Sequence, residues 1–330
     1  MKVFVTGGAG YVGSVAVKEL LDRGHEVLVF DDLSTGHREA LDPRAEFYCT
    51  SLGDHEYLSQ AMNGFKPDAV MHFAALALVG ESMEYPLKYF RNNVSDAVNL
   101  LDAMQWNGCE RLVFSSSCAT YGTPPPGLIT EETPQKPTNP YGESKLMFEQ
   151  MLWWLMSRKG FKPTMLRYFN ACGAYCGLGE DHKNETHLIP NVIKVAMGQK
   201  EQVEIFGCNK PTSDGTCIRD YVHVHDLARA HVMVLEKEVI GAFNLGTGRG
   251  YSVKEVVDSV RRVTCREVKA VERPDRPGDP DSLVADASLA KMFFGWEAEF
   301  KDIDSIVKTA WDWHLLHPDG YGGPKEETPF

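Results

Sequence analysis

A tyrosine and a lysine four residues apart, in Tyr141-Gly142-Glu143-Ser144-Lys145, are residue types that can do proton chemistry. On a helix the two share one face. A nearby ammonium favours phenolate over phenol and brings the tyrosine toward the working range of a general base. Such a base suits a reaction that removes a hydroxyl proton while hydride leaves the same carbon. Pairs at this spacing are common on helix surfaces, so their context decides. Ser115-Ser116-Ser117 follows the apolar run Leu112-Val113-Phe114. A hydroxyl at such a strand end could bond the substrate hydroxyl and relay its proton; a plain loop or a helix cap accounts for the serines equally well.

Gly7-Gly8-Ala9-Gly10-Tyr11-Val12-Gly13 adds a second kind of chemistry. It stands between a strand pattern and a helix pattern. There Gly7 allows a tight turn, Gly10 lets backbone approach a pyrophosphate, and Gly13 allows close helix–strand packing. The helix start offers N–H groups and a positive dipole end to phosphates. The next strand ends at Phe30-Asp31-Asp32. Asp31 lies at the distance expected for bonding an adenosine ribose diol, and a carboxylate there repels a ribose phosphate, favouring NAD over NADP. Either aspartate could instead cap the following loop; Asp31 is preferred for the ribose.

The elements that must position these groups are legible as alternating periodicities. Apolar runs occur at Val3-Phe4-Val5, Val27-Leu28-Val29-Phe30, Ala69-Val70-Met71-His72-Phe73 and Leu112-Val113-Phe114, with amphipathic stretches at Tyr11 to Arg23 and Asn93 to Trp106 between them. This alternation predicts βαβ units and an α/β fold, a doubly wound parallel sheet with helices on both faces. Ligands bind such sheets at the carboxyl edge. From about Ala171 the loops lengthen, and helical patterns return at Val224 to Glu236, Ser252 to Val263 and Ile303 to His314. The expected division is a cofactor-binding part over 1–170, with a return near 220–245, and a smaller mixed α/β substrate lobe, mainly 171–330. The tail from Pro318, rich in glycine, reads as poorly ordered.

The bulk numbers narrow the function. A chain of 330 residues with 43% hydrophobic and 24% charged residues can bury a core without disulfides or metals. A net charge of -12 with no dense Lys/Arg run argues against nucleic-acid and anionic-membrane partners. No apolar stretch long enough for a membrane span is present, and Lys2 to Thr6 runs straight into glycines rather than a signal-peptide core. Of the eight cysteines, Cys172 and Cys176 are the closest pair, and no His cluster completes a zinc pattern. Reduced thiols, a cytoplasmic location and no metal are expected.

Taken together, these motifs resemble the extended short-chain dehydrogenase/reductase family, with its Rossmann sheet, and more specifically its UDP-galactose/UDP-glucose 4-epimerases. The resemblance runs from Lys2 to about Tyr321. It is carried by Val5 to Ser14, Val79-Gly80-Glu81-Ser82, Asn92-Asn93-Val94, Tyr141 to Lys145, Leu166-Arg167-Tyr168-Phe169-Asn170, Asp214-Gly215-Thr216, Arg219-Asp220-Tyr221, Asn244-Leu245-Gly246 and Arg276-Pro277-Gly278-Asp279. The ending, Trp311 to His314 with His317 to Tyr321, is similar too.

By that resemblance Tyr141 is the base, Ser117 its partner hydroxyl on the sugar O4, and Lys145 the holder of the nicotinamide ribose. The same likeness implies NAD contacts from Gly7, Gly10, Tyr11, Val12, Gly13, Asp31, Asp32, Ser34, Thr35, Gly36, Ser51, Leu52 and Ser115. Tyr168 and Asn92 would line the nicotinamide region, and Phe73, Ala74 and Ala75 the pyrophosphate. For the UDP-sugar it implies Ser117, Tyr141, Asn170, His187, Leu188, Phe206, Arg219, Tyr221, Arg276, Asp279 and Leu283. Arg219 and Arg276 are suited to clamp a diphosphate, although each read alone is an ordinary surface ion-pair residue. Two positions depart from the pattern: Ala77 replaces a lysine beside the cofactor phosphates, and Ser51 an adenine-side acid. A homodimer through the helices at 93–106 and 139–158 is also implied; Leu146, Met147, Met151, Leu152, Trp153 and Trp154 are more apolar than one helix face needs, which suits a helix-bundle interface or plain core burial.

Three other readings share these residues. A nucleotide-sugar 4,6-dehydratase needs an extra acid–base pair, yet Cys118-Ala119-Thr120 follow Ser117, with no carboxylate until Glu131. A 4-epimerase of UDP-pentoses or N-acetylhexosamines differs only in sugar; by the resemblance Leu283 falls where related enzymes use a residue that gates room for an N-acetyl group, and a leucine there, bulkier than Ser or Cys, implies unacetylated sugars. A non-catalytic NAD-binding protein would have no need of Tyr141, Lys145 and the arginines together.

Overall fold

The computed structural model describes residues 1–276 and 279–322. Its first half runs β1 (Lys2–Thr6), α1 (Tyr11–Asp22), β2 (Glu26–Asp31), β3 (Glu46–Cys49), α2 (His55–Phe65), β4 (Ala69–His72), α3 (Val79–Glu84), α4 (Pro86–Phe90), α5 (Ala97–Trp106), β5 (Arg111–Ser117), α6 (Pro140–Lys159) and β6 (Lys162–Tyr168). There follow β7 (Asn170–Cys172), α7 (Leu188–Ala196), β8 (Val203–Phe206), β9 (Ile218–His223), α8 (Val224–Glu236), β10 (Gly241–Leu245), β11 (Gly250–Ser252), α9 (Val253–Thr264), β12 (Ala270–Arg273), β13 (Ser282–Leu283), α10 (Ser288–Phe294) and α11 (Ile303–Leu316).

Seven strands form one sheet in the order β10-β6-β5-β4-β1-β2-β3, and every pairing in it is parallel. Alternate residues leave a strand on opposite faces. Val3 and Val5 therefore pack into one helical layer with Val17 and Leu235, while Phe4 and Leu28 pack into the other with Leu58, Leu100 and Phe148. Both faces being covered, the strands read as unbroken apolar runs. After β3 the chain crosses back to start β4 on the other side of β1. The loops leaving β1 and β4 diverge there and open the crevice where such folds bind ligands.

β10 comes from the stretch read as a return to the first half, and it pairs with β6, Leu245 opposite Tyr168. The second lobe has β11, β9, β13 and β7 in one small sheet and β12 with β8 in another. Its own core includes Val192, Ile193, Val256, Val260, Ile306 and Val307. Two expectations change. The helix read from Asn93 starts as a π-turn over Arg91–Asp96 that leads into α5. The tail is anchored as far as Tyr321, whose N–H donates to the Asp181 carboxylate at 3.0 Å and whose hydroxyl accepts from Gly179 N at 2.9 Å; Gly323 and Pro324 lie outside the described residues. Among those described, no helix is long and apolar enough to cross a membrane.

Four buried histidines make the fold sensitive to acid. Burial pushes His72 and His223 down to about 3, and His231 and His314 down to about 4. The unfolded chain takes up these protons below about pH 6.5, where the folded chain does not. Their stability contribution is thus complete above pH 6.5 and is lost as pH falls toward the folded values, with a combined slope approaching ~5 kcal/mol per pH unit. Chemical denaturation at pH 7 and pH 5 should show a large drop in unfolding free energy; equal values would contradict it.

Candidate active site

The glycine loop is built as a close approach of backbone to backbone. Gly7 has φ of 73°, and a Cβ on it would sit 2.4 Å from Ala74 N. A Cβ on Gly13 would sit 2.1 Å from the Gly7 carbonyl oxygen. At Gly10 the nearest atom would be that same oxygen at 3.4 Å, so this side of the loop faces space. α1 starts there with no side-chain cap, leaving the first-turn N–H groups of Tyr11, Val12 and Gly13 for an anion.

Asp31, 8% exposed at the end of β2, accepts from Ala9 N at 2.9 Å and Leu33 N at 2.8 Å. Burial raises its pKa against the pull of these two N–H groups. It therefore straps the glycine loop to the strand end while its carboxylate stays beside the expected ribose position. Asp32 accepts from Ser34 N. Thr35 leads into Gly36, where a Cβ would meet the Ala9 backbone at 2.8 Å. Ser51 accepts from Gly53 N, and Leu52 O accepts from Asn99. An acid does lie near Ser51: the Asp96 carboxylate is 3.7 Å from where a Cβ on Gly53 would be.

An open anion cradle, a ribose-side carboxylate and Phe73-Ala74-Ala75 packed behind Gly7 fit NAD. Gly7→Ala adds backbone strain and a clash worth at least ~1.4 kcal/mol, so NAD affinity should fall by about 10-fold or more. Measuring cofactor released from denatured protein checks this, and an unchanged content would contradict it.

The catalytic candidates meet at the carboxyl edge of β5. Asn139 caps α6 by accepting from Gly142 N at 2.8 Å, with Pro140 in the first turn. A Cβ on Gly142 would be 2.4 Å from Ala119 O, so the helix start is pressed against the turn that Ser117 caps. This brings the start of α6, with Tyr141, up to Ser117, whose hydroxyl accepts from Ala119 N at 3.1 Å. Burial, and next Tyr168, hold Tyr141 above its ordinary value.

Lys145 Nζ donates to Ser115 O at 2.8 Å and lies 6.0 Å from the centre of the Tyr141 ring. Burial pushes this amine down to about 7, against the charge of Glu149. The Lys145 ammonium is directed at the Ser115 carbonyl, with the Tyr141 ring beside it. Tyr168 and Ser115 share a hydrogen bond of 2.5 Å. Asn92 is half-buried, and its neighbour Asn93 is the tying residue, with bonds to Leu76 N and O and to Ser144 Oγ.

Strand register gathers the substrate candidates. Asn170 lies opposite Tyr221 across β7 and β9, and Leu283 opposite Arg219 across β13 and β9. Arg219 forms an ion pair with Asp279. At the end of β8 the Arg276 guanidinium lies over the Phe206 ring, 3.8 Å from its centre. Pro277 and Gly278 lie outside the described residues. Leu188 begins α7, directly after His187.

His187 also belongs to a group that composition did not reveal. Its Nδ1 is 2.5 Å from a Glu180 oxygen, and His182 and Glu185 complete the cluster. The search for a pattern completing the Cys172/Cys176 pair passed over it; the signal was Glu180-x-His182-x-x-Glu185-x-His187 within one loop. Burial opposes charge on His187, but Glu180 and then Glu185 outweigh it and raise the imidazole to about 9.

The model of the NAD dependent epimerase/dehydratase family matches residues 3–246. A UDP-glucose 4-epimerase of Lacticaseibacillus casei is 47% identical over 98% of this chain and 99% of its own. A solved UDP-glucose 4-epimerase superposes with a TM-score of 0.94 at 46% identity, over 98% of this chain and all of that one. That of Brucella ovis in complex with NAD gives 0.91 at 46% identity, over 94% and 97%.

Proposed function

Because this chain belongs to the NAD dependent epimerase/dehydratase family, we infer that Ser117, Tyr141 and Lys145 act on a UDP-linked sugar held by the second lobe. The enzyme interconverts UDP-galactose and UDP-glucose with NAD as cofactor, by oxidation at C4, rotation of the 4-keto sugar and re-reduction. The observation that supports the residue assignment is the start of α6, carrying Tyr141, pressed against the turn that Ser117 caps, beside the buried Lys145 at the carboxyl end of β5. Bound NAD supplies the acceptor, then the donor, of the C4 hydrogen with its electron pair.

Tyr141 takes the O4 proton through or beside Ser117 and later returns it. Lys145, steadied by the Ser115 carbonyl, holds the nicotinamide ribose; Tyr168 and Ser115 wall that end. Arg219 and Arg276 take the diphosphate, with Asp279 orienting Arg219. Strong anchoring of UDP and weak anchoring of the sugar let the ketone turn over without leaving. Residues 1–170, with the return at 220–245, serve the cofactor, and 171–330 mainly the UDP-sugar. The dehydratase reading loses ground on Glu131, which accepts from Asn244 N at 2.7 Å and is committed to the fold.

Leu283, 7% exposed beside Arg219, supports a preference for unacetylated sugars. Leu283→Ser should raise kcat/KM for UDP-N-acetylgalactosamine relative to UDP-galactose by about 10-fold or more. An unchanged ratio would remove Leu283 from the specificity argument.

Eight free cysteines support a cytoplasmic location. A homodimer is supported by α6, where Trp154, Trp153 and Met147 face outward, alongside Tyr85 and Leu87 of the neighbouring segment. Leu152, of the same set, takes the other alternative and is fully buried in the core beneath.

The assignment is tested by incubating purified protein with UDP-galactose, without added NAD, and following the sugar signals by NMR. UDP-glucose should appear. No conversion, with or without added NAD, would overturn the assignment.

A further inference from the structure

We propose that Glu180, His182, Glu185 and His187 bind one divalent transition-metal ion of the zinc class, in a four-coordinate site separate from the C4 chemistry. One ligand atom from each residue lies within 4.8 Å of all the others. Four ligands at ~2.05 Å around a tetrahedral ion stand roughly 3.3 Å apart. The present separations lie around that value: Glu180 Oε1 is 2.5 Å from His187 Nδ1 and 3.5 Å from His182 Nδ1, while Glu185 faces His187 with Oε1 at 3.5 Å and His182 with Oε2 at 3.2 Å. Seating an ion asks Glu185 to turn one oxygen to it and the wider separations, up to 4.8 Å, to close toward that value.

Charge argues the same way. The side chains of Glu180 and Glu185 are 5% and 4% exposed. Among the described residues neither makes an ion pair with Lys or Arg; their only charge partners are the two imidazoles. Two desolvated carboxylates that close repel unless positive charge stands between them, which the imidazoles supply when protonated and an ion supplies when they are not. Two carboxylates and two neutral imidazoles sum to the charge that a divalent ion cancels. Magnesium and calcium prefer six or more oxygens, whereas a set of two nitrogens and two oxygens suits zinc, cobalt or nickel.

The loop carrying the cluster is joined to much of the molecule. Tyr11 of the glycine motif donates to Gly173 O at 2.6 Å. His37, beyond β2, lies 2.9 Å from Asp181 O, and Asp181 accepts from Tyr321 N. A metal here would tighten the loop that leads into α7 and carries His187 and Leu188. The His187 side chain is 43% exposed, so the ion has access from solvent.

The test uses the full-length enzyme with its cofactor, treated with chelator and then freed of it. Titration with Zn2+ by calorimetry should show one site with a sub-micromolar Kd, and the melting temperature should rise with added metal. Co2+ in its place should give the intense visible bands of tetrahedral coordination. Loss of an outer-shell partner already costs about 10–100-fold, so His182→Asn and Glu185→Gln should each weaken binding by about 100-fold or more. Failure of the wild-type protein to bind Zn2+, an octahedral Co2+ spectrum, or unchanged affinity in His182→Asn would overturn the proposal. The wild-type arms stand even if a variant fails to fold, and none depends on epimerase activity.

Discussion

Tyr141→Phe is expected to lower kcat by ~10³-fold, within the range general acid–base groups contribute. In the proposed mechanism the phenol exchanges a proton with the sugar O4. Its ring is half-buried at the start of α6, and removal of the hydroxyl leaves the ring packing in place. The helix cap at Asn139 and the contact of Gly142 with the 118–121 turn do not involve the hydroxyl, so folding and cofactor content should persist. UDP anchoring lies on β8, β9 and β13, so KM should change little and kcat/KM should fall with kcat. Steady-state kinetics decide this; a variant retaining a tenth of wild-type turnover would dismiss Tyr141 as the base.

The second large effect is on stability. Glu149, 1% exposed within α6, accepts from Arg167 Nε at 2.9 Å and Nη2 at 2.6 Å, from Ser116 Oγ at 2.5 Å and from Gln135 at 3.0 Å. Arg167 is itself buried and donates to Tyr121, which in turn donates to Asn244. Glu149→Ala strands a guanidinium beneath the sheet edge and removes the acceptor of two further donors. Breaking a buried pair from one side costs ~3–5 kcal/mol. Urea denaturation should show a loss of that size, and a loss under ~1 kcal/mol would be too small for a buried pair. Glu149 also supports the charge on Lys145, so a folded Glu149→Gln protein should lose the Lys145 proton at lower pH than wild type.

Much of this was legible because the chemistry constrains the residue type. Gly7 and Gly13 admit no side chain where they stand, and Asp31 must reach both the ribose position and the loop. Strands buried on both faces announced themselves as apolar runs, and α8 spans Val224 to Glu236 as its periodicity implied. What escaped depended on tertiary context. β7 and β13 are three and two residues long, too short to show a period. β6 carries Pro163 and the buried Arg167, so it does not read as a core strand. α6 has no apolar stripe, because Lys145 and Glu149 are buried by partners on β5 and β6. Asn92 and Asn93 are indistinguishable until the π-turn directs Asn93 onto Leu76. The tail looked loose by composition, but Tyr321 is held against Trp313 and Asp181. Glu180 and His187 were visible as letters, yet only the folded loop shows that their side chains converge.

The central claim is that the C4 hydrogen leaves the sugar and returns to the same carbon from the other side, within one enclosed site. UDP-galactose carrying deuterium at C4 tests it most directly, with the UDP-glucose product examined by NMR and mass spectrometry in ordinary water. The account predicts that deuterium is retained at C4 in the product. Its replacement by solvent hydrogen would contradict internal transfer and with it the role given to the Ser117–Tyr141–Lys145 site.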